Sequence, residues 1–330
     1  MSNVLVAGGA GFIGSNYLRT ALDQGGGDFF VCADKLTYAG SMENVRDLLG
    51  RRDFAFAQAD ICDGAAMAAL LKQYDIDTVI NFAAQTHVDR SIATPDVFFH
   101  TNVIGAQTLM ETARRYWFDK PDARFIQIST DEVYGALPET GRFTEASPLM
   151  PRNPYAASKA AADLAALSYH HTYGFPAIIT RSGNNYGSYQ HPEKFIPRMI
   201  LCALENEPLP VYGDGLHVRD WLHVTDHCAA IEAVRRRGQA GQVYNIGADN
   251  EQTNLDVART ILSALGKPET LIRHVDDRPG HDRRYALNSG RITSQLQWSP
   301  RTAFAEAIAD TIRWYRENPA WRRKMTFREE

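Results

Sequence analysis

Short hydrophobic runs rich in β-branched and aromatic residues alternate along the chain with stretches whose apolar residues recur at helical spacing. Three of the helical stretches are residues 63–74, 95–117 and 155–173. The hydrophobic runs are VLV, FFVCAD, FAFAQAD, TVINFAA, RFIQIS, AIITR and VYNIGA. Strands that alternate with helices are typical of a parallel sheet covered by helices on both faces. The pattern therefore predicts an α/β protein.

The alternation weakens after about residue 180, where proline and glycine cluster in YGSYQHPEKFIP, PLPVYGDG and DDRPGH. Such segments are typical of loops that build a pocket over a sheet. We therefore expect a Rossmann-type doubly wound parallel sheet with a smaller, mostly C-terminal substrate-binding lobe. The predicted boundaries are 1–181 plus about 222–248 for the dinucleotide-binding domain, and about 182–221 plus 249–330 for the lobe. The last helix is predicted at 304–317.

The composition argues against several classes of protein. With 330 residues, 44% of them hydrophobic and 22% charged, the chain is long enough for a large core and a smaller lobe. Its 35 basic and 39 acidic residues give a net charge of −4, which disfavours nucleic acid as a partner. No apolar run reaches membrane-spanning length, and four scattered cysteines without a CxxC motif favour reduced thiols. We therefore expect a cytoplasmic protein that binds neither nucleic acid nor membrane.

A glycine-rich segment, GGAGFIG at residues 8–14, follows the first predicted strand and opens a helix. Its glycines allow the backbone to approach a pyrophosphate, and a helix N-terminus favours negative charge. Asp34 lies 20 residues beyond Gly14, where a carboxylate accepts both ribose hydroxyls and repels a 2′-phosphate. This favours NAD over NADP, although Lys35 would tolerate a phosphate. Asp60 closes the third strand and either lies near the adenine or caps the helix predicted at 63–74.

Tyr155 and Lys159 are spaced i and i+4, so they share one face of a predicted helix. A tyrosine that acts as a base near neutral pH needs a pKa about three units below its usual ~10, equivalent to about 4 kcal/mol. One ammonium about 4 Å away supplies about that much at an effective dielectric of ~20. Tyr116 and Lys120 share the spacing, but they end a helix ahead of the strand RFIQIS. We therefore predict a catalytic role for Tyr155 and a structural role for Tyr116.

Thr130, Asp131 and Glu132 come directly off the strand RFIQIS, at the edge where open α/β sheets bind ligands. Two adjacent carboxyls in different surroundings can act as one acid and one base. On local grounds the same residues also suit a surface turn. The tyrosine–lysine pair and the dinucleotide motif favour the catalytic interpretation. Together these features indicate oxidation of a substrate carbon, elimination of water beside it and return of the hydride.

Segments distributed over nearly the whole chain match one enzyme family. They are GGAGFIGSN, DKLTYAGSMEN, HVDRSI, STDEVYG, NPYAASKAAAD, NNYG, PEKFIP, PLPVYGDG, VRDWLHV, YNIGADNE and DRPGHDRRYA. On these segments the chain resembles the extended short-chain dehydrogenase/reductases, and within them the dTDP-glucose 4,6-dehydratase family. The TDE sequence, in place of the small residues of epimerases, is the discriminating element. The resemblance implies conversion of dTDP-glucose to dTDP-4-keto-6-deoxyglucose.

The resemblance also implies a role for each matching residue. Thr130 would hydrogen-bond the 4-hydroxyl of glucose, and Tyr155, supported by Lys159, would take its proton. Glu132 would remove the C5 proton while Asp131 protonates the departing 6-hydroxyl. NAD would take the C4 hydride, return it to C6 and stay tightly bound through each turnover. A homodimer packed through the helices at 95–117 and 155–173 is implied as well.

Further contacts follow from the same resemblance. The implied cofactor contacts are Gly8, Gly11, Phe12, Ile13, Gly14, Asp34, Lys35, Asp60, Ile61, Thr101, Tyr155, Lys159 and Asn185. The implied contacts to the dTDP-sugar are Thr86, Thr130, Asn184, Lys194, Phe195, Pro210, Val211, Tyr212, Arg219, Asn254, Arg278 and His281. Arginine and lysine in this set suit a pyrophosphate. No metal is expected.

Alternative functions stay open at this point. A UDP-glucose 4,6-dehydratase would share the TDE chemistry, and the methyl that distinguishes thymine from uracil is worth only about 1–3 kcal/mol in a hydrophobic pocket. A sugar-nucleotide 4-epimerase or decarboxylase would share Tyr155 and Lys159 but would not use an acid–base pair. A non-catalytic NAD-binding protein would need neither. The chain also departs from the family's usual residues at Ala7, 85–86 and 182–183, beside the predicted cofactor and substrate positions.

Overall fold

One sheet of seven parallel strands forms the centre of the molecule, as the strand–helix alternation predicts. Residues 1–326 are described by the computed structural model. The strands of the central sheet are β1 Asn3–Ala7, β2 Phe29–Asp34, β3 Phe54–Gln58, β4 Thr78–Asn81, β5 Arg124–Thr130, β6 Ala177–Ser182 and β10 Val243–Ile246. Their spatial order is β10–β6–β5–β4–β1–β2–β3. All seven hydrophobic runs named above therefore lie in this sheet.

Helices cover both faces of the sheet, which confirms the predicted doubly wound α/β fold. The helices are α1 Phe12–Gln24, α2 Gly64–Gln73, α3 Val88–Ala93, α4 Pro95–Phe99, α5 Ala106–Tyr116, α6 Pro154–Tyr173, α7 Phe195–Glu205, α8 Val224–Arg237, α9 Asn254–Leu265, α10 Gly290–Leu296, α11 Phe304–Glu317 and α12 Pro319–Thr326. On one face α1, α8 and α10 bury Tyr17, Ile231 and Ile292. On the other face α2, α5 and α6 bury Met67 and Leu109 beside alanines. Among residues 1–326, no helix is both long and apolar enough to cross a membrane.

A second apolar core lies beside the sheet. Its strands are β7 Asn184–Tyr186, β8 Leu209–Tyr212, β9 Val218–His223, β11 Glu251–Thr253 and β12 Ile272–Val275, which form a three-stranded sheet (β11–β9–β7) and a two-stranded sheet (β12–β8). Helices α7, α9, α11 and α12 pack on them around Met199, Ile261 and Tyr315.

One stretch predicted as a single helix, residues 95–117, is interrupted. A π-helical segment at His100–Gly105 separates α4 from α5. Buried Asn102 in this segment accepts the Gln85 N–H at 2.8 Å and donates to the Gln85 carbonyl at 3.0 Å and to the Ser158 hydroxyl at 2.8 Å. π-Helical turns are often found at functional sites. Here the turn anchors the loop after β4, and apolar periodicity could not reveal it.

The predicted helix at 155–173 begins one residue earlier, because Asn153 caps it and Pro154 occupies the first position. The helix at 304–317 is present, but the prediction that it is the last helix is wrong. Pro319 does not stop the chain from forming α12, since proline is tolerated at the first position of a helix. Short 3₁₀ turns lie at Met42–Asn44, Arg46–Leu48, Asp131–Tyr134 and Glu269–Leu271.

We expect Leu5→Ala in the central strand β1 to lower the free energy of unfolding by about 2–5 kcal/mol, because the side chain is fully buried between the sheet and its helices. Equilibrium denaturant unfolding measures this loss. The matched control is Leu49→Ala, at an exposed leucine, which should change stability by less than about 0.5 kcal/mol. Equal losses in both variants would contradict the assignment of β1 to the core.

Candidate active site

A cavity of about 670 Å³ opens at the carboxyl ends of the central strands. The strand order reverses between β1 and β4, and ligands of open α/β sheets bind at such a point. All thirteen residues predicted to contact the cofactor line this cavity, and so do the five predicted catalytic residues. The structure therefore brings these two groups of residues together in one site.

The glycine-rich loop has the shape that a dinucleotide pyrophosphate requires. Gly8 has a φ of +74°, and an added Cβ would lie 2.5 Å from the Ala83 amide nitrogen in the loop after β4. At Gly14 an added Cβ would lie 2.6 Å from the Gly8 carbonyl oxygen. Gly11 is the N-cap of α1; within the described chain no side chain caps this end, and the first turn holds no acidic residue. The positive end of α1 is thus left for an anionic group.

Asp34 is buried at the end of β2, where its carboxylate accepts the Ala10 N–H at 2.9 Å and the Leu36 N–H at 2.8 Å. Burial raises the pKa of Asp34, and the two N–H bonds act in the opposite direction. Each carboxylate oxygen keeps a further lone pair for a ribose hydroxyl. Lys35 Nζ lies 2.8 Å from Asp60 Oδ2, so the charge of Lys35 is compensated within the protein. This pairing weakens the argument that Lys35 would attract a 2′-phosphate.

The two interpretations of Asp60 are distinguished by the start of α2. Asp63, not Asp60, is the N-cap, and its carboxylate accepts the N–H groups of Ala65 and Ala66, each at 3.0 Å. The cap interpretation of Asp60 is therefore wrong. Asp60 lines the cavity instead, next to Lys35.

Thr130, Asp131 and Glu132 lie at the carboxyl end of β5. The Thr130 hydroxyl accepts the Glu132 N–H at 3.3 Å and donates to Asp131 Oδ1 at 3.2 Å. Asp131 is only 1% exposed, and its Oδ2 has no hydrogen-bond partner within residues 1–326. Burial, reinforced by the Glu132 carboxylate, raises the pKa of Asp131 well above its usual range. The surface-turn interpretation is therefore wrong, because Asp131 is buried, and burial shifts its pKa in the direction that a general acid needs.

Glu132 is held by a residue that the sequence analysis missed. Asn153 Nδ2 donates to Glu132 Oε2 at 3.2 Å, while Asn153 Oδ1 accepts the Ala156 N–H at 2.8 Å as the cap of α6. The two adjacent carboxyls thus have different surroundings, one desolvated and one partly exposed and hydrogen-bonded. An asparagine before a proline is a recognisable cap signal. Its second bond depends on how α6 packs against the end of β5, which local sequence does not show.

Tyr155 and Lys159 lie on the buried face of α6. Lys159 Nζ donates to the Ile128 carbonyl oxygen in β5 at 2.6 Å. Burial lowers the pKa of Lys159 to about 8, and the Asp163 carboxylate acts in the opposite direction. Burial and the Glu132 carboxylate raise the pKa of Tyr155. Desolvation of the phenolate therefore dominates the pKa of Tyr155 in the chain by itself, and the lowering of that pKa by Lys159 stays a prediction.

The competing pair, Tyr116 and Lys120, lies elsewhere. Tyr116 donates its hydroxyl to Asp75 Oδ1 at 2.8 Å, and Lys120 Nζ donates to the same oxygen at 2.5 Å. Both residues tie the end of α5 to the turn before β4, at the amino end of the sheet. This is the structural role predicted for Tyr116.

The predicted contacts to the sugar nucleotide fall into two groups. Thr86, Thr130, Asn184 and Lys194 line the cavity. The other eight lie outside its lining: Phe195, Pro210, Val211, Tyr212, Arg219, Asn254, Arg278 and His281. In the first group Lys194 Nζ donates to the Thr86 carbonyl oxygen at 2.9 Å, and Asn184 Oδ1 is buried without a partner in the described chain.

The second group surrounds β8 and β9. Val211 is fully buried in the second core, so its side chain faces apolar neighbours. Arg219 is buried, donates to the Asp282 carbonyl at 2.9 Å and tends to lower the pKa of Asp131. Arg278 lies 3.6 Å from Asp89, a residue of α3. Both arginines therefore have polar partners within the protein.

Three side chains near this group have the composition of a metal site: His217, Asp277 and His281 have ligand atoms within 4.8 Å of one another. The two imidazole rings stack, with centroids 3.7 Å apart and an interplanar angle of 13°. Imidazole lone pairs lie in the ring plane, so those of nearly parallel rings do not converge on one ion. Asp277 Oδ1 instead lies 2.6 Å from His281 Nδ1, and Oδ2 lies 3.3 Å from His217 Nε2. This geometry favours a hydrogen-bonded group rather than a metal centre.

Several residues that line the cavity were given no role by the sequence analysis. They include Thr37, Ala39, Gly40, Asp96, His100, Gln190 and His191. Thr37, Ala39 and Gly40 belong to the loop after β2, and the last two precede α7. The sequence signal was their place in the segments DKLTYAGSMEN and YGSYQHPEKFIP, but only the fold shows that these segments reach the same cavity.

Comparisons with known proteins agree with this geometry. The family model described as GDP-mannose 4,6 dehydratase matches residues 5–311. The dTDP-glucose 4,6-dehydratase of Xanthomonas campestris pv. campestris strain B100 is 48% identical, over 97% of this chain and 95% of its own. The crystal structure of the Bacillus anthracis dTDP-glucose 4,6-dehydratase in complex with NAD is 44% identical, with a TM-score of 0.92 over 98% of this chain and 100% of that one. The Streptomyces venezuelae dTDP-glucose 4,6-dehydratase, solved with NAD and TYD bound, is 44% identical, with a TM-score of 0.93 over 98% and 99%.

The family match covers most of the chain, and the relatives align with it almost end to end. The solved structures share the fold described here. The chain therefore belongs to the dTDP-glucose 4,6-dehydratase family of the extended short-chain dehydrogenase/reductases.

Proposed function

We propose that this protein is a dTDP-glucose 4,6-dehydratase, which converts dTDP-glucose to dTDP-4-keto-6-deoxyglucose. The observation that carries the proposal is the pair Asp131 and Glu132, one desolvated and one hydrogen-bonded, in the same cavity as Tyr155 and Lys159. The relatives that match the chain nearly end to end bear this name. The chemistry is that of a hydro-lyase with an internal redox cycle.

NAD is the cofactor that fits the cavity best. The tight glycines and the uncapped end of α1 suit its pyrophosphate, and Asp34 suits the adenosine ribose. Lys35 is already paired with Asp60, which leaves little attraction for a 2′-phosphate. Bound NAD would supply the hydride acceptor for C4 and the hydride donor for C6.

Thr130, Tyr155 and Lys159 act in the first step, the oxidation at C4. Thr130 orients the 4-hydroxyl, and Tyr155 takes its proton as C4 becomes a ketone. Burial makes the Tyr155 phenolate costly, so the nearby Lys159 ammonium is needed to stabilise it. The amino group, with a pKa of about 8, keeps its proton at neutral pH.

The elimination step uses the acid–base pair. The ketone at C4 acidifies the C5 proton, and Glu132 removes it. Asp131, whose pKa burial raises, gives its proton to the 6-hydroxyl, which leaves as water. Hydride addition at C6 and reprotonation at C5 complete the product, so the net change is the loss of one water. A 4-epimerase needs no such pair, and the burial of Asp131 therefore favours the dehydratase.

The remaining predicted contacts would hold the nucleotide. We propose that the second core and its loops form a sugar-nucleotide lobe, with Arg219, Arg278 and Lys194 beside the pyrophosphate. The proposed location is cytoplasmic, since the four cysteines are unpaired, as is usual in a reducing compartment.

The chain should dehydrate dTDP-glucose without added NAD, because the cofactor is regenerated within each turnover. Incubation of the purified protein with dTDP-glucose, followed by mass spectrometry of the nucleotide sugar, measures this as the loss of one water. UDP-glucose in a parallel reaction tests the alternative base. Exclusive turnover of UDP-glucose would contradict the thymidine assignment, and a product of unchanged mass but altered configuration would indicate an epimerase.

Substitution of each carboxyl should block elimination but leave C4 oxidation. We expect Asp131→Asn and Glu132→Gln to reduce the rate of dehydration by roughly 10²–10⁴-fold, since each removes one proton transfer. Both variants should accumulate reduced nicotinamide on the protein when mixed with substrate, visible in the near-ultraviolet absorbance. Tyr155→Phe is the control, because it should prevent that signal. Full dehydration by Asp131→Asn would contradict the role of Asp131 as the acid.

We also propose that two copies associate through α4, α5 and α6. These helices and the π-helical segment between α4 and α5 pack against one another and leave Phe99, Ile104 and Leu164 exposed to solvent. Exposed apolar side chains on adjacent helices are typical of an interface, and a symmetric pair would cover the same face on both copies.

Leu164→Glu should convert the dimer to a monomer, because it would place a charge in the apolar interface. Size-exclusion chromatography with light scattering measures the mass. Leu49→Glu, at an exposed leucine outside these helices, should leave the dimer intact. A Leu164→Glu variant that stays dimeric, or an unaltered chain that elutes as a monomer, would contradict the proposal.

A further inference from the structure

The loop after β2 forms one wall of the cofactor side of the cavity. Its backbone is anchored at both ends: Asp34 Oδ1 accepts the Leu36 N–H at 2.8 Å, and the Ser41 N–H donates to the Ala10 carbonyl of the glycine-rich loop at 3.0 Å. Thr37 and Ala39 line the cavity. Tyr38, between these two residues, does not belong to the lining and is 5% exposed. The Tyr38 side chain is therefore buried against other parts of the protein.

Tyr38 makes its contacts with two other segments that border the cavity. Its hydroxyl donates to Glu193 Oε1 at 3.1 Å, and its ring meets the His191 ring edge-on, with centroids 5.5 Å apart. The Arg90 guanidinium lies 4.1 Å from the centre of the same ring. The loop after β2, α3 and the segment before α7, which are distant in sequence, thus meet at one phenol. Burial and the Glu193 carboxylate raise the pKa of Tyr38, so the hydroxyl remains a donor.

The segments that Tyr38 joins lie on different parts of the fold. The loop after β2 and α3 belong to the sheet side, whereas the segment with His191 and Glu193 leads into α7 and the second core. The cavity lies between them and is lined by Thr37 and Ala39 from one side and by Gln190 and His191 from the other. Separation of these walls would require the Tyr38 contacts to break.

We propose that Tyr38 is a clasp residue, which fastens the loop after β2 to the segment before α7 and so slows the release of the dinucleotide. The inference rests on the proposed function, because an internal redox cycle fails if the reduced cofactor leaves between oxidation at C4 and reduction at C6. Tyr38 acts through the loops that it joins and is a positioning residue. Its effect lies on cofactor release rather than on the chemical steps.

The rate of NADH release from the protein tests the clasp directly. Protein loaded with NADH is mixed with excess NAD in a stopped-flow instrument, without any sugar nucleotide, and the fluorescence of bound NADH is followed. Tyr38→Phe removes only the hydroxyl, which interacts with Glu193 and Thr86, and should speed release by about tenfold, equivalent to about 1.4 kcal/mol. Tyr38→Ala, which also removes the ring from His191 and Arg90, should release NADH faster still.

Tyr116→Phe is the matched control, because Tyr116 also donates its hydroxyl to a carboxylate but lies at the amino end of the sheet. Its release rate should equal that of the unaltered protein. With dTDP-glucose present, Tyr38→Phe should lose activity over successive turnovers and regain it when NAD is added. This second readout separates loss of cofactor from loss of a structural contact, which added NAD would not restore.

Unchanged release in both Tyr38 variants would overturn the clasp, and so would an equal acceleration in Tyr116→Phe. Because the release assay contains no sugar, it gives the same answer whether or not the chain dehydrates dTDP-glucose. A protein that holds NADH through Tyr38 but leaves dTDP-glucose intact would therefore refute the proposed function while supporting the clasp.

Discussion

The close approach of two backbone loops at the reversal of strand order is the constraint on which the rest of the site depends. The loop after β1 passes the loop after β4 so closely that Gly8 leaves no room for a Cβ beside Ala83. The uncapped end of α1 borders the cavity beside this contact, and Asn102 links the loop after β4 to Ser158 of α6. A side chain at position 8 would separate the two strands at the point where the cavity begins.

Desolvation is the second organising influence, and it favours the predicted role of one catalytic group while it opposes that of another. The end of β5 is covered by α6 and by the second core, so Asp131, Tyr155 and Lys159 are all withdrawn from water. Burial raises the pKa of Asp131, which suits an acid, but it also raises the pKa of Tyr155, which hinders a base. The Lys159 ammonium is what offsets this cost in the proposed mechanism, which explains why the pair lies on one helical face.

The different surroundings of Asp131 and Glu132 depend in part on one helix cap, Asn153. Asn153 begins α6 and binds Glu132, so the residue that places Tyr155 and Lys159 also distinguishes Glu132 from its neighbour. If α6 were shifted along its axis, Tyr155 and Lys159 would move relative to Asp131 and Glu132, and the bond from Asn153 to Glu132 would be lost as well. The proposed clasp at Tyr38 resembles Asn153 in one respect: a single side chain contacts segments that are far apart in the sequence.

The sequence by itself determined the features that depend on local chemistry and spacing. Each of the seven hydrophobic runs corresponds to one of the seven strands of the sheet. The glycine spacing, Asp34 and the i and i+4 spacing of Tyr155 and Lys159 could be recognised in the sequence because each reflects the local conformation of the backbone. Tertiary structure decided the rest. The π-helical turn, the second bond of Asn153, the pairing of Lys35 with Asp60 and the burial that raises the pKa of Tyr155 all arise between segments far apart in the chain. Their energies depend on distance and on exclusion of water, and neither quantity exists until the strands and helices have packed.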